Sequence, residues 1–382
     1  MKPITYTILD NLKTFPKIPN YKLSEKTTEF LNILFTRFIE GSASYHEAII
    51  NKAVHVNIKK KTDNFIPIEI RESIDTNKKT CTHYSFIINN RNISVSMYHF
   101  DKTTILLSNK YIRRIYIWLY TALHFSPVKC SQTLQINIFF TNKIKNLPSA
   151  NSPVKQNHAN TAFTTSCQTN TEINIFREEE WFKVLIHETF HCLGLDFSEM
   201  DKTRSNELIL KLFSVKSDVR LFETYCETWA EIINVMFISF FSTRNNNIKK
   251  MLQKTEEMLY FERLFSLIQC CKVLRHFDLT YEDLHMKSKN NEKYKEETQV
   301  LSYYVLKPIY MFYNNEFIEW CLLNNGKTLN FKKTEDNIEK YVDFIKDKYR
   351  KPEILDAIKA IQKVPIKKPL LNTLRMTVFE LE

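Results

Sequence analysis

Between Glu172 and Leu195 the spacing of apolar residues changes from every second position to about every third or fourth. This change predicts a strand that runs directly into a helix. Glu172 to Phe176 (EINIF) reads as the strand, and the following run REEEWFKVLIHETFHCLGL reads as the helix. Glu178, Glu179 and Glu180 are expected in its first turn, where carboxylates suit the positive end of the dipole. Gly194 stands where the helix should end, and the chain has only three glycines to place. The helix is apolar on nearly every side (Trp181, Phe182, Val184, Leu185, Ile186, Phe190, Leu193, Leu195). His187, Glu188 and His191 are therefore expected to be desolvated, which is costly for polar groups unless they are paired or bind a metal.

Around this junction the pattern is mixed α+β in the first half and helical in the second. A helix is expected from Ser24 to Ile39, and a hairpin from His83 to Ile88 and Asn92 to Tyr98 turns through Asn89, Asn90 and Arg91. Asn109 to His124 reads as a mostly apolar helix with Arg113 and Arg114 on its wet side. Thr133 to Phe140 and Ala159 to Thr165 read as strands, separated by a loop rich in Asn, Ser and Pro. From Asp201 onward helical periodicity dominates, with breaks near 245–247, 288–291 and 324–326. At 382 residues the chain is long enough for two lobes around a cleft, divided here as 1–200 and 201–382.

Eight cysteines without a C-x-x-C pair suggest reduced, mostly buried thiols, and neither a zinc ribbon nor a disulfide framework. The first twenty residues lack the apolar run of a signal peptide, and no stretch reaches the roughly 18 apolar residues of a spanning helix. An intracellular, cytoplasmic protein is the expectation. A formal charge of +11 favours encounter with nucleic acid, an anionic membrane surface or an acidic protein substrate, or else reflects a solvated, Lys-rich surface. The patches at Lys59 to Lys61 and Lys367 to Lys368 are short and lack interleaved aromatics, so no specific nucleic-acid partner is expected.

His187, Glu188 and His191 spell H-E-x-x-H, and on a helix the two histidines project from one face a turn apart. Both imidazoles can then reach one Zn²⁺ at about 2.0 to 2.1 Å. Glu188, rotated by roughly 100° from His187, is kept off the ion and beside its open position, where it can act as general base and acid. The alternative is a pair of satisfied core histidines. Downstream, FETYCETWAEI stacks Glu223, Glu227 and Glu231 on one helix face, and each like-charge pair costs about 0.2 to 0.5 kcal/mol. Either a metal centre or pairing with Lys or Arg must compensate.

The pairing of His187-Glu188-x-x-His191 with Glu227-Thr228-Trp229-Ala230-Glu231 resembles the gluzincin branch of the zincin metallopeptidases. That resemblance, spanning Asn160 to Glu231, implies a zincin-like fold whose helical lobe supplies the third ligand. It implies one zinc ion held by His187, His191 and Glu227, with Glu231 orienting a ligating histidine. It also implies that Asn160, Thr161, Ala162 and Phe163 form an edge strand that binds a peptide or protein substrate by β-addition. The run is similar as well to uncharacterised metallopeptidases of large DNA viruses. The expected activity is zinc-dependent hydrolysis of peptide bonds. The alternatives are an inactive zincin-fold binding protein and a hydrolase of a non-peptide amide.

The sequence departs from metzincins, whose third ligand follows six residues after the second histidine, because Phe197 stands there. Asp196 stays open as a ligand or as a partner behind one. Tyr303 and Tyr304 are candidates to stabilise an oxyanion, against a core role for either.

Overall fold

The computed structural model describes residues 1–382 apart from Lys60 and Lys287, so the middle of the Lys59 to Lys61 patch lies outside the described residues. In chain order the first elements are α1 (Pro3–Leu12), α2 (Glu25–Glu47), β1 (Asn51–Ile58), α3 (Ile68–Thr76), β2 (Lys79–Ile88), β3 (Arg91–His99) and α4 (Lys102–Phe125). Then come β4 (Thr133–Phe139), α5 (Gln156–Ala159), β5 (Ala162–Thr164), β6 (Asn170–Ile175) and α6 (Trp181–Cys192). The helical part comprises α7 (Thr203–Leu212), α8 (Leu221–Phe241), α9 (Ile248–His276), α10 (Tyr281–His285), α11 (Lys307–Phe312), α12 (Asn314–Asn325), α13 (Glu335–Lys348) and α14 (Pro352–Gln362).

The strands form one mixed sheet in the order β1-β2-β3-β4-β6-β5. β2 and β3 make the expected hairpin: Asn89 and Asn90 take positive φ of 48° and 60°, the conformation a tight two-residue turn requires. β3, β4 and β6 run parallel, with α4 as the crossover between the first two, and β5 lies antiparallel on the outer edge. Alternation decides the faces. Ile93, Val95, Leu134, Ile136, Ile138, Ile173 and Ile175 point into the main core, while Tyr98, Phe139 and Phe176 join a small cluster under α3.

Side-chain caps start several helices where the sequence places an oxygen. Ser24 accepts from Thr27 N at the head of α2, and Asp101 accepts from Thr104 N at the head of α4. α2 runs to Glu47, beyond the expected end at Ile39. Arg114 is a further correction. It is buried rather than wet, with its guanidinium near the Tyr111 and Phe241 rings and bonded to Glu382 O.

One continuous hydrophobic cluster runs from Ile8 to Phe379, so the division near residue 200 does not coincide with a break in packing. α8 is buried along almost its whole length, between α6 and α9. Residues 370–380 lack regular structure, and buried side chains satisfy their backbone. Glu180 Oε1 accepts from Met376 N and Thr377 N at 2.8 and 2.7 Å, and Glu262 accepts from Val378 N and Phe379 N. Among the described residues no helix is long and apolar enough to cross a membrane.

Candidate metal centre

α6 presents its polar residues in a fixed register because it is anchored at both ends. Trp181, almost fully buried, packs against Tyr111 and Phe140, and Trp118 Nε1 donates to Thr189 Oγ1 at 2.8 Å. At the far end Ser131 Oγ and Ser126 Oγ donate to the carbonyls of Cys192 and Leu193, which the helix leaves unpaired. Gly194 then turns the chain with φ of 65°, as its place after the helix predicts. A Cβ there would lie 2.9 Å from Cys130 Sγ. Cys130 is disulfide-bonded to Cys167, a correction to the expectation of reduced thiols. The β4 and β6 approaches bring these two together across 37 residues, and the other six cysteines are buried.

Glu178, Glu179 and Glu180 precede α6 instead of forming its first turn. Glu180 adopts a left-handed φ of 59°, and the helix begins at Trp181. Cations compensate all three: Lys2 for Glu178, Arg375 for Glu179 and buried Lys145 for Glu180.

His187 Nε2 and His191 Nε2 lie 3.2 Å apart, and Glu223 Oε2 lies 3.0 Å from the first and 3.5 Å from the second. Three donors held at about 2.0 to 2.1 Å from one tetrahedral ion stand roughly 3.3 to 3.4 Å from each other. The triangle therefore has the size a bound metal ion sets. Behind it, Asp196 Oδ2 lies 2.6 Å from His191 Nδ1, and Glu227 Oε2 lies 2.9 Å from His187 Nδ1, out of line for a straight hydrogen bond. Carboxylates at both Nδ1 atoms favour the proton there and leave the Nε2 lone pairs free. Two lone pairs and a carboxylate oxygen then face one another, an arrangement that repels unless positive charge lies among them.

The electrostatics show the same demand for positive charge at the triangle, a demand that protons on the imidazoles meet as well as an ion would. Burial works against charging His187, yet Glu223 and Glu227 hold its pKa up at about 9. Against the same burial, Cys226 and Asp196 keep His191 well above the ordinary imidazole range. Glu223 falls well below the carboxylate range despite burial, because His191 and His187 face it. Glu188 moves upward, since its burial outweighs the pull of the two imidazoles.

Residual exposure separates the two kinds of partner. The side chains of His191, Glu223 and His187 keep 11%, 9% and 6%, whereas Asp196 and Glu227 keep 1% and 2%. All five side chains are nearly buried, and the three of the triangle keep slightly more exposure than the two carboxylates beside the Nδ1 atoms.

Two expected roles move by one helical turn. Glu227, expected as third ligand, has one oxygen against His187 Nδ1 and the other 2.5 Å from Lys183 Nζ. Glu231, expected to orient a histidine, pairs with buried Lys307 Nζ at 2.6 Å. Glu223 stands where a third ligand could sit, and Glu227 lies beside His187 Nδ1. The sequence alone leaves this register open, because Glu223/Glu227 and Glu227/Glu231 have the same spacing. Asp196 supports His191, and Ser198 Oγ donates to its second oxygen at 3.0 Å.

Tyr303 and Tyr304 separate clearly. They lie in a π-helical turn, Ser302–Leu306, that leads into α11. Tyr303 OH donates to Glu223 Oε2 at 2.9 Å, while Tyr304 OH donates to Leu374 O inside the core.

A recess of about 50 Å³ reaches the triangle at His187 and is lined by Glu188, Glu227, Lys183, Tyr303, Met376 and the segment Ala159 to Ala162. That space holds roughly three or four waters. Of the expected edge residues, Ala162 and Phe163 belong to β5, while Asn160 and Thr161 precede it. Thr161 O accepts from Phe176 N at 2.9 Å, so its polar group turns inward. Backbone groups alternate along a strand edge, and those of Ala162 accordingly turn outward. Asn160 O is engaged by Arg177 Nε, and its side-chain oxygen by Thr298.

No protein-family model matches the chain, and no similar protein was found among curated proteins or solved structures. The chain is a mixed α/β protein in which His187, His191 and Glu223 are placed so that they could hold a metal ion.

Proposed function

We propose that the protein is a zinc-dependent hydrolase of peptide bonds with a zincin-like arrangement, its ion held by His187, His191 and Glu223. The convergence of two Nε2 atoms and one carboxylate oxygen within 3.0 to 3.5 Å of one another carries this reading. The fold assignment is supported by an antiparallel edge strand beside the H-E-x-x-H helix and by a later helix supplying carboxylates. Two imidazoles and a carboxylate suit zinc as donors, and bound there the ion would supply Lewis acidity and acidify a water.

The chain's own residues supply the rest. An extended substrate lies along β5, its backbone met by the outward groups of Ala162. Glu188, whose carboxyl burial pushes above the usual carboxylate range, takes the proton of the attacking water and returns it to the leaving nitrogen. Tyr303, whose hydroxyl already reaches Glu223, is poised to donate to the oxygen that becomes negative. Replacing Glu188 by Gln tests the scheme: zinc content stays at the wild-type level and peptide hydrolysis is lost. Retained turnover would remove Glu188 from the chemistry.

A second reading, a metal-holding protein without turnover, is favoured by the recess, which has room for water and little more. The two part on whether zinc-loaded wild type cleaves a mixed peptide library.

A further inference from the structure

Lys183 stands one turn ahead of His187 on α6 and is 3% exposed. A buried ammonium is expensive unless a partner meets it. Its Nζ lies 2.5 Å from Glu227 Oε1 and 3.8 Å from Met376 Sδ, and the other Glu227 oxygen lies 2.9 Å from His187 Nδ1. Lys183 and His187 thus hold the two oxygens of one carboxylate from the same face of α6.

α8 offers three carboxylates at equal spacing, Glu223, Glu227 and Glu231, so helix geometry does not by itself decide which one completes a metal site. The partners do. Glu231 is held by Lys307 Nζ at 2.6 Å, Glu227 by Lys183, and Glu223 has no lysine partner within ion-pair distance among the described residues.

We propose that Lys183 is a positioning residue that selects the third ligand: by holding Glu227 behind the His187 ring, it fixes that imidazole with Nε2 toward the triangle and leaves Glu223 to complete it. The proposal rests on the reading of this site as a metal centre. A released Glu227 is a flexible anion beside the ring, free to turn its oxygens away from Nδ1. Lys183 therefore acts on the metal only through Glu227, which separates it from a lysine that merely neutralises buried charge.

The test uses the full chain, zinc affinity by chelator competition, and the visible spectrum of the Co²⁺-loaded protein. K183M and E227Q each lower zinc affinity about 10- to 100-fold, the range for partners behind a ligating histidine. The K183M/E227Q double variant binds no more weakly than the weaker single variant, since the lysine has nothing left to act on. K183R restores affinity to within about threefold of wild type, and K307M leaves it unchanged while lowering the melting temperature. The cobalt bands of K183M shift as the ligand field changes. Should K183M fail to fold by circular dichroism, K183Q replaces it.

The proposal is overturned if K183M binds zinc within about threefold of wild type with unaltered cobalt bands, or if the losses multiply in the double variant. Wild type that takes up no zinc overturns both this proposal and the metal centre. Zinc uptake without hydrolysis sinks the hydrolase alone and leaves the affinity test in force.

Discussion

Glu223 Oε2 lies 3.0 Å from His187 Nε2, while Glu227 Oε2 lies 2.9 Å from the other ring nitrogen, Nδ1. One imidazole is thus held between two carboxylates with separate tasks. Glu223→Ala should lower zinc affinity by more than about 100-fold, beyond the loss expected for a partner behind a ligand. Glu231→Gln should leave affinity untouched while destabilising the fold by roughly 3 kcal/mol, because Lys307 loses its buried partner. Chelator competition and thermal melts on both variants decide the assignment. Zinc loss in Glu231→Gln with affinity retained in Glu223→Ala would restore the assignment with Glu227 as ligand.

Tyr303 and Tyr304 are neighbours with different surroundings, and removing each hydroxyl should have a different effect. Tyr303→Phe is expected to keep zinc and lower kcat by about 10²-fold with little change in KM. Tyr304→Phe removes the donor to Leu374 O and should cost about 1 to 3 kcal/mol of stability with kcat preserved. Steady-state kinetics on a cleaved peptide, paired with melts, separate the two. A Tyr303→Phe enzyme at wild-type rate would end the oxyanion assignment.

Glu262 is wholly buried, and burial pushes its carboxyl up to about 7 although Thr377, Val378 and Phe379 donate to it. Its folded pKa exceeds the unfolded value, so its stabilising contribution is full below about pH 4.5 and is lost as pH rises through 7. The whole effect is roughly 3 kcal/mol. Melting temperatures from pH 4.5 to 8 should fall along that window in wild type and fall less in Glu262→Gln. Parallel curves for the two proteins would show that Glu262 does not titrate there.

Gly194→Ala should destabilise by about 1 to 3 kcal/mol, because the residue holds φ of 65° and its new Cβ would meet Cys130 Sγ. The turn also leads to Asp196, so zinc affinity should drop with stability. Unchanged melting and zinc content would mean that the turn relaxes without cost.

The sequence made α6 legible because three signals coincided: a change of period after Phe176, apolar residues all round, and a scarce glycine at its end. The β2–β3 hairpin was legible through Asn89 and Asn90, which tolerate positive φ. What stayed hidden was set by residues distant in the chain. Glu178 to Glu180 looked like a helix start until Lys2, Lys145 and Arg375 approached them, and Arg114 looked wet until Phe241 covered it. Glu227 is paired with Lys183, a pairing that no local pattern announces. β5 proved shorter than its alternation suggested, because Arg177 and Thr298 engage Asn160 instead of a neighbouring strand.

Met376 and Thr377 reach Glu180 across sequence separations of 196 and 197 residues, and Tyr303 reaches Glu223 across 80. During synthesis the two imidazoles therefore emerge long before the groups that wall their recess. A nascent chain that has passed α8 already carries His187, His191 and Glu223 yet lacks Tyr303 and Met376, so the triangle and the walls of its recess come together at separate times. Contacts this remote form slowly, since long loops must close first. The centre should reach its mature form among the last steps of folding.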